Sequence, residues 1–336
     1  MRIVGFSKIL LGIGLLAIMG CNSPDDRLRV DVSKVDLPAM KIHRYDLDLF
    51  NVRPAYLRDD LEKLKPEYRF FLDTDLGDPL KLEQMKSYLG SPRNIGFHAA
   101  VQTRFERLNA LETDITEAFR HLKYYYPSVT IPRVYTYISG GDYEFPVQLD
   151  DSVLLIGLDN FLGKDFNGYK ADGIPLYRIA RMTPDHILPQ VIKVMRSNLE
   201  NGPVSGNNLL EQMIEGGRQL YFTEAMVPRA EPRFIIGYSA GQYSWMINNE
   251  ALVWSAVIEN QILFSTDGRM IRSFMADGPF TPEFCKEAPS RLGEFLGWQI
   301  VKKYMENEPK VTLPELMAEK DFQKILSLSK YKPKKK

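Results

Sequence analysis

Gly237-Tyr238-Ser239-Ala240-Gly241 has the G-x-S-x-G pattern of a serine nucleophile, and it follows the apolar run Phe234-Ile235-Ile236. A nucleophile elbow needs a strand before the serine, a helix after it, and then an acid and a histidine farther along the chain. The four histidines, His43, His98, His121 and His186, all precede Ser239. The order serine, acid, histidine is therefore unavailable, and the flanking sequence lacks alternating strand–helix units. Ser239 reads instead as the cap of a following helix, where its oxygen accepts from unpartnered backbone N–H groups. The same histidines limit metal chemistry. No two are four apart, and H-E-x-x-H, which sets two imidazoles and a polarising glutamate around one ion, is absent. His186-Ile187-Leu188-Pro189-Gln190 keeps only the first position of that motif. Asp73 to Gln84 fails as a calcium loop, because Asp78 stands where glycine is needed and Gln84 where glutamate is needed.

Carboxylates are the remaining chemistry. Glu211 and Glu215 lie one turn apart on a helix that also carries Leu210, Ile214 and Leu220. Glu250 and Glu259 lie on an apolar helix with Trp254. Arg218, Arg233 and Arg291 are candidate partners, and buried pairs of this kind mark a fold constraint or a pocket more often than catalysis. The candidate pocket set is His186, Glu211, Glu215, Arg218, Glu250, Trp254, Glu259, Arg291 and Trp298, with no catalytic residue and no metal ligand assigned. The alternative is a hydrolase using Glu211, Glu215, Glu250 or Glu259 as acid and base. Carboxylates converging in an open cleft would favour it; salt-bridged carboxylates in a filled core would favour a binding protein.

The elements that position these residues are legible in outline. Lys41–Asp46 reads as a strand, 58–71 as a helix, and His98 to Tyr126 as the clearest helix, with Val101, Phe105, Leu108, Leu111, Ile115, Phe119 and Leu122 at three- and four-residue steps. Strands are expected over Arg133–Ile138, at Val147, and over Ser152–Asp159, the last continuous enough to be central. Helices are expected at 189–198, 209–223, 240–248, 250–261, 290–304, 313–318 and 322–328. Strands set before helices point to an α+β fold, a mainly helical single domain with a small β-sheet.

Composition bounds the rest. Lys+Arg 43 against Asp+Glu 43 leaves no net charge, so no global field favours nucleic acid as a partner. Arg2 and Lys8 flank an apolar run that is too short to span a bilayer and ends at Cys21, so residues 1–20 read as a signal peptide. A small residue directly before a cysteine matches a lipoprotein processing box. Cleavage there leaves Cys21 to carry a diacylglycerol on its thiol and an acyl chain on its amine, and two or more chains anchor stably at about 0.8 kcal/mol per buried CH₂. Cys21 is thus the expected lipidation residue and the membrane the first expected partner. Cys285 is then the one remaining thiol, which leaves no pair for a disulfide. Residues 21–29 form a tether, 30–333 the domain and 334–336 a basic tail.

Several strings in the second half carry a family resemblance. They are residues 154–165, Met213 to Phe222, Trp245 to Glu250 with Trp254, and Gly278 to Thr281. The strongest are Pro289-Ser290-Arg291-Leu292-Gly293-Glu294-Phe295-Leu296-Gly297-Trp298-Gln299-Ile300-Val301 and Ser329-Lys330-Tyr331-Lys332-Pro333. Over about residues 40–333 the chain resembles the gliding-motility lipoprotein GldB family of Bacteroidetes. The resemblance implies a lipid-anchored cell-envelope protein, in the outer rather than the inner membrane. It implies a binding or assembly role in gliding or type IX secretion-linked machinery, and an envelope protein partner. That family is distantly similar to zincin-like metallopeptidases, whose third zinc ligand is a glutamate on the helix after H-E-x-x-H. Glu215, in Ile214-Glu215-Gly216-Gly217, stands at the corresponding place. The histidine pair and the base are missing here, so the resemblance implies a zincin-like scaffold without its catalytic metal and without a cofactor. Function follows the site rather than the scaffold, so binding is the expected activity, and a peptidase-like hydrolase acting on an envelope substrate is the alternative.

Overall fold

The computed structural model describes residues 27–199 and 206–334. The expected signal peptide, Cys21 and the last two residues of the basic tail lie outside the described residues. Four strands form one sheet among the described residues: β1 (Ile42–Arg44), β2 (Arg133–Tyr137), β3 (Val147–Asp150) and β4 (Val153–Gly157). Their order is β1-β2-β4-β3; β1, β2 and β4 run parallel, and β3 is antiparallel to β4. β4 is central, as its unbroken apolar run requires. Val134, Leu154 and Ile156 join the main core, while Tyr135 and Leu155 join a second cluster with Tyr45, Leu61, Tyr68 and Leu72. Burial on both faces is what removes the polar–apolar alternation from such a strand.

Helices predominate. Between β1 and β2 come α1 (Tyr45–Asp48), α2 (Leu57–Leu64), α3 (Arg69–Leu72), α4 (Pro79–Gly90), α5 (Pro92–Arg104) and α6 (Asn109–Tyr125). After β4 come α7 (Asn167–Ala171), α8 (Leu176–Ile179), α9 (Ile187–Leu199), α10 (Leu209–Met226), α11 (Pro232–Ile236), α12 (Ala240–Glu259), α13 (Gly268–Met275), α14 (Leu292–Asn307), α15 (Leu313–Ala318) and α16 (Phe322–Ser329). The architecture is the mainly helical α+β arrangement expected from the patterning.

Several boundaries differ, each for a local reason. The run expected as one helix from His98 is split into α5 and α6. Phe105 and Leu108 stay buried in the break, and Arg44 donates to the Phe105 carbonyl at 2.9 Å, so the apolar stripe continues across a gap in the backbone ladder. The 58–71 run divides into α2 and α3 around Pro66, which lacks the N–H a helix interior needs. Conversely, the expected pair 240–248 and 250–261 is one helix: Asn249 Nδ2 donates to the Trp245 carbonyl at 2.8 Å, so its side chain bonds within the helix instead of breaking it. The strand expected through Asp46 ends at Arg44. α4 escaped notice because it buries no residue and so has no stripe.

α10 and α14 form the centre. α10 is buried around almost its whole circumference, and β3, α6 and α9 surround it or one another, with α16 on α14. The two central helices touch through glycine. A Cβ on Gly217 would stand 2.2 Å from Gly297 C, and one on Gly297 would stand 1.6 Å from the Met213 carbonyl oxygen. Neither obstacle is a side chain that can swing away. Gly297→Ala must push α10 and α14 apart, and should lower stability by about 3 kcal/mol or more, the upper end of overpacking costs. Gly241→Ala on α12, where nothing lies within 4 Å, should leave stability unchanged or slightly raised. Urea denaturation of both variants checks the contrast.

Candidate functional site

A cleft of about 240 Å³ opens between α9, α10, α11 and the start of α14. α10 turns Gly216, Gln219, Leu220 and Thr223 toward it, a face set by the three- and four-residue helical repeat. α9 contributes Gln190 and Lys193 from its first turns. His186 ends the 3₁₀ turn Pro184–His186 that leads into α9 and is 4 % exposed. Its Nδ1 lies 2.8 Å from Thr183 Oγ1, and its ring meets Phe234 edge-on at 5.2 Å. Its Nε2 is buried with no partner among the described protein atoms.

Arginines and carboxylates form the opposite wall. Arg181 donates to Asp277, whose other oxygen lies 3.6 Å from Arg291 Nε; Arg291 Nη1 reaches Glu294 at 3.4 Å. Arg291 itself caps α14 in the left-handed region, φ 59°, which turns its side chain back over Tyr238, 5.5 Å from the ring centre. Gly237 ends α11 at φ 74°, and a Cβ there would stand 2.9 Å from Arg181 Cδ, so glycine serves both the turn and the approach of the arginine.

These neighbours set the charge states. Burial, and then the positive charges of Arg181, Arg233 and Arg291, push the His186 imidazole down to about 4, so it is neutral at ordinary pH. Burial alone would raise Asp277, but the hydrogen bond from Arg181 and the charges of Arg181 and Arg291 outweigh it and hold the carboxyl below its usual range. Such a carboxylate is a weak general base. The cleft therefore offers one neutral imidazole nitrogen and arginine N–H groups, but no carboxylate free to orient the imidazole or to activate water.

The other expected pocket residues lie elsewhere. Glu215 lies outside the cleft lining, where Arg196 donates to it at 2.7 Å and Arg218 to its second oxygen. Arg218 continues to the carbonyls of Leu316 and Met317, each at 3.2 Å, and Glu319 at 2.6 Å, closing the end of α15. Burial tends to raise Glu215, but the two arginines prevail and lower it. Glu211 folds back on its own helix start, accepting from Asn207 N at 2.6 Å and Asn208 Nδ2 at 2.8 Å. Glu250 accepts from Tyr331 at 2.7 Å, and Trp254 meets that ring edge-on at 5.0 Å. Glu259 is exposed. Trp298 is buried, its Nε1 donating to Glu224 at 2.9 Å beneath Lys302. The cleft thus unites His186 and Arg291 and leaves out the other seven. Sequence reasoning missed Arg181, Lys193, Asp277 and Glu294, and the core charges Arg196 and Glu224. Glu294 stood in view within the Pro289 to Val301 string.

The G-x-S-x-G stretch is a helix junction. Phe234–Ile236 is helical, Tyr238 is buried with its hydroxyl donating to the Ser290 carbonyl at 2.7 Å, and Ser239 caps α12 in a reciprocal box with Gln242. This is the capping role expected of Ser239. A zinc ion does not fit the residues near His186. Ile187 and Gln190 stand at the other motif positions, three arginines surround the imidazole, and no group of three or more His, Cys, Asp or Glu among the described residues is placed to hold a metal.

Residues 25–333 match the family described as gliding motility protein GldB. The chain belongs to that family. No curated protein and no solved structure matches it. GldB is a lipoprotein family, which implies a lipid-anchored envelope protein, and no helix among the described residues is long and apolar enough to cross a membrane. Two GldB-like strings, Met213 to Phe222 and Pro289 to Val301, supply facing walls of the cleft.

Removing Glu215's charge strands two buried arginines. Glu215→Gln should lower stability by about 3–5 kcal/mol, the usual cost of breaking a buried pair from one side, measurable by urea denaturation at neutral pH. His186 predicts a pH slope. An unfolded imidazole takes its proton near 6.5 and the folded one near 4, so the unfolded chain binds more protons between those values. Stability is then fully present above pH ~6.5 and falls by roughly 3 kcal/mol as pH drops to ~4. His186→Gln should flatten that interval in unfolding curves taken across it.

Proposed function

We propose that this GldB-family chain is a non-catalytic lipoprotein, anchored through Cys21 in the outer membrane. Its His186–Arg291 cleft holds an anionic group, an acidic side chain or a terminal carboxylate, of an envelope protein partner. The role is binding or assembly within gliding or type IX secretion-linked machinery. One observation carries the reading: the cleft's carboxylates, Asp277 and Glu294, are each engaged by arginine, while His186 Nε2 and Arg291 Nε are buried without a hydrogen-bond partner among the described protein atoms. Arg181, Lys193 and Arg291 against Asp277 and Glu294 leave one positive charge in excess. An unpaired buried donor is costly, and a ligand oxygen would relieve that cost at Arg291 Nε, and at His186 Nε2 in the tautomer whose Nδ1 accepts from the Thr183 hydroxyl. The same features would suit a zincin-like scaffold turned from hydrolysis to recognition, with arginine charge where a metal would otherwise lie.

Two measurements test this. Cys21→Ala should release the protein from the membrane fraction; continued sedimentation with membranes contradicts the anchor. A photocrosslinker at the exposed cleft position Lys193 should give an envelope-protein adduct in intact cells, and that adduct should disappear in Arg181→Gln/His186→Gln protein of unchanged fold. An adduct indifferent to those substitutions, or peptide hydrolysis by purified protein that they abolish, overturns the binding role.

A further inference from the structure

The tether enters the domain at one end of α14. Arg27 donates to the carbonyls of Met305 and Val311, and to that of Glu308 at 3.4 Å. Six residue steps separate Arg27 from Cys21, a span of at most about 20 Å when extended. An acylated Cys21 therefore keeps the 305–311 corner close to a bilayer surface. The C-terminal segment is fastened at the same corner, because Asn307 Nδ2 donates to the Leu328 and Ser329 carbonyls at 3.0 and 2.8 Å. Beyond them the chain turns at Lys330, φ 48°, and runs along α12, held by Tyr331 against Trp254 and Glu250.

Lys330, Lys332 and Lys334 are exposed there, and none pairs with a carboxylate among the described residues. Beside Lys332 and Lys334, α12 shows Ile258 at 45 % exposure, and farther round the same helix Leu252 is 59 % exposed. Ile258, Trp254 and the lysine tail line one open groove of about 780 Å³. Of the acidic groups close by, Glu250 is hydrogen-bonded by Tyr331 and Glu306 pairs with Lys303 at 2.5 Å, while the exposed Glu259 lines the same groove, one carboxylate against the three tail lysines. Lysines bordering exposed apolar side chains suit the interface of an anionic bilayer, where the charges meet headgroups and the apolar groups enter the acyl boundary.

We infer that the face formed by the Lys330–Lys334 tail and Ile258 seats on an anionic phospholipid surface, so that acyl chain and protein face together fix the domain's orientation. The inference rests on the anchor proposed at Cys21. Its consequence is spatial. α12 begins beside Gly237 at the cleft and spans about 30 Å, so the cleft stands toward the end of α12 away from the lipid.

Reconstitution tests it. Acylated protein carrying Cys285→Ser and a single nitrobenzoxadiazole label is placed in vesicles of phosphatidylglycerol with phosphatidylethanolamine, or of phosphatidylcholine alone. A label at Ile258→Cys should shift to the blue and be quenched by spin-labelled lipid in the anionic vesicles. Both effects should be lost in phosphatidylcholine, and in the Lys330→Gln/Lys332→Gln/Lys334→Gln variant. A label at Gly241→Cys, exposed at the other end of α12, should report water throughout. Protein that sediments with anionic vesicles but leaves the Ile258 label in water overturns the inference, as does quenching indifferent to lipid charge or to the lysines, or equal quenching at Gly241. Protein that fails to sediment overturns the anchor, and the inference with it.

Discussion

The contact of α10 with α14 is the constraint on which the rest of the molecule depends. The backbones meet at Gly217 and Gly297, with Gly216 against Glu294 and Gly293 against Met275 and Met213. Cβ atoms at these positions would hold the axes apart and widen everything built between them. One wall of the cleft comes from α10 and the other from the start of α14, so glycine sets its width. The same approach brings Trp298 to Glu224 and lets Lys302 cover the pair. Close-packed interiors transmit such displacements rather than absorb them.

Charge is managed differently at two places beside α10. At one, Glu215 is enclosed by Arg196 and Arg218, and Arg218 Nη1 closes the end of α15, while Arg218 Nε has no hydrogen-bond partner among the described protein atoms. At the other, arginines hold Asp277 and Glu294 but the His186 Nε2 is unclaimed. The difference is one of access: the Glu215 charges are spent on one another and on α15, whereas the His186 group opens into the cleft, which is why the proposed recognition site is placed there. A hydrolytic cleft would need a base whose proton affinity is poised, and Asp277 is held low by its arginines.

Much of the local organisation was legible beforehand. α15 lies at its expected bounds, and a capping box of Thr312 and Glu315, with Pro314 between them, accounts for its start. β4 was expected as a central strand because an unbroken apolar run suits burial on two faces. The helix break at Phe105–Leu108 was not legible, because the apolar stripe runs on through it and Arg44, 61 residues earlier, supplies the missing hydrogen bond. Of the site, His186 and Arg291 were singled out, while Arg181 and Asp277 belong to connecting segments with no periodic signal.

What the sequence determined by itself is what depends on near neighbours: caps, stripes, the order of strands and helices, the lack of a second histidine, and family membership. These arise from hydrogen bonds and side-chain repeats within a few residues. Only the tertiary structure decided which carboxylate meets which arginine. Glu215 and Glu211 look equivalent along α10, yet one is enclosed by Arg196, 19 residues away, and the other caps its own helix. Arg181 reaches Asp277 across 96 residues. Such pairings depend on the distance between helix axes, and that distance is set where two glycines, far apart in the chain, come into contact.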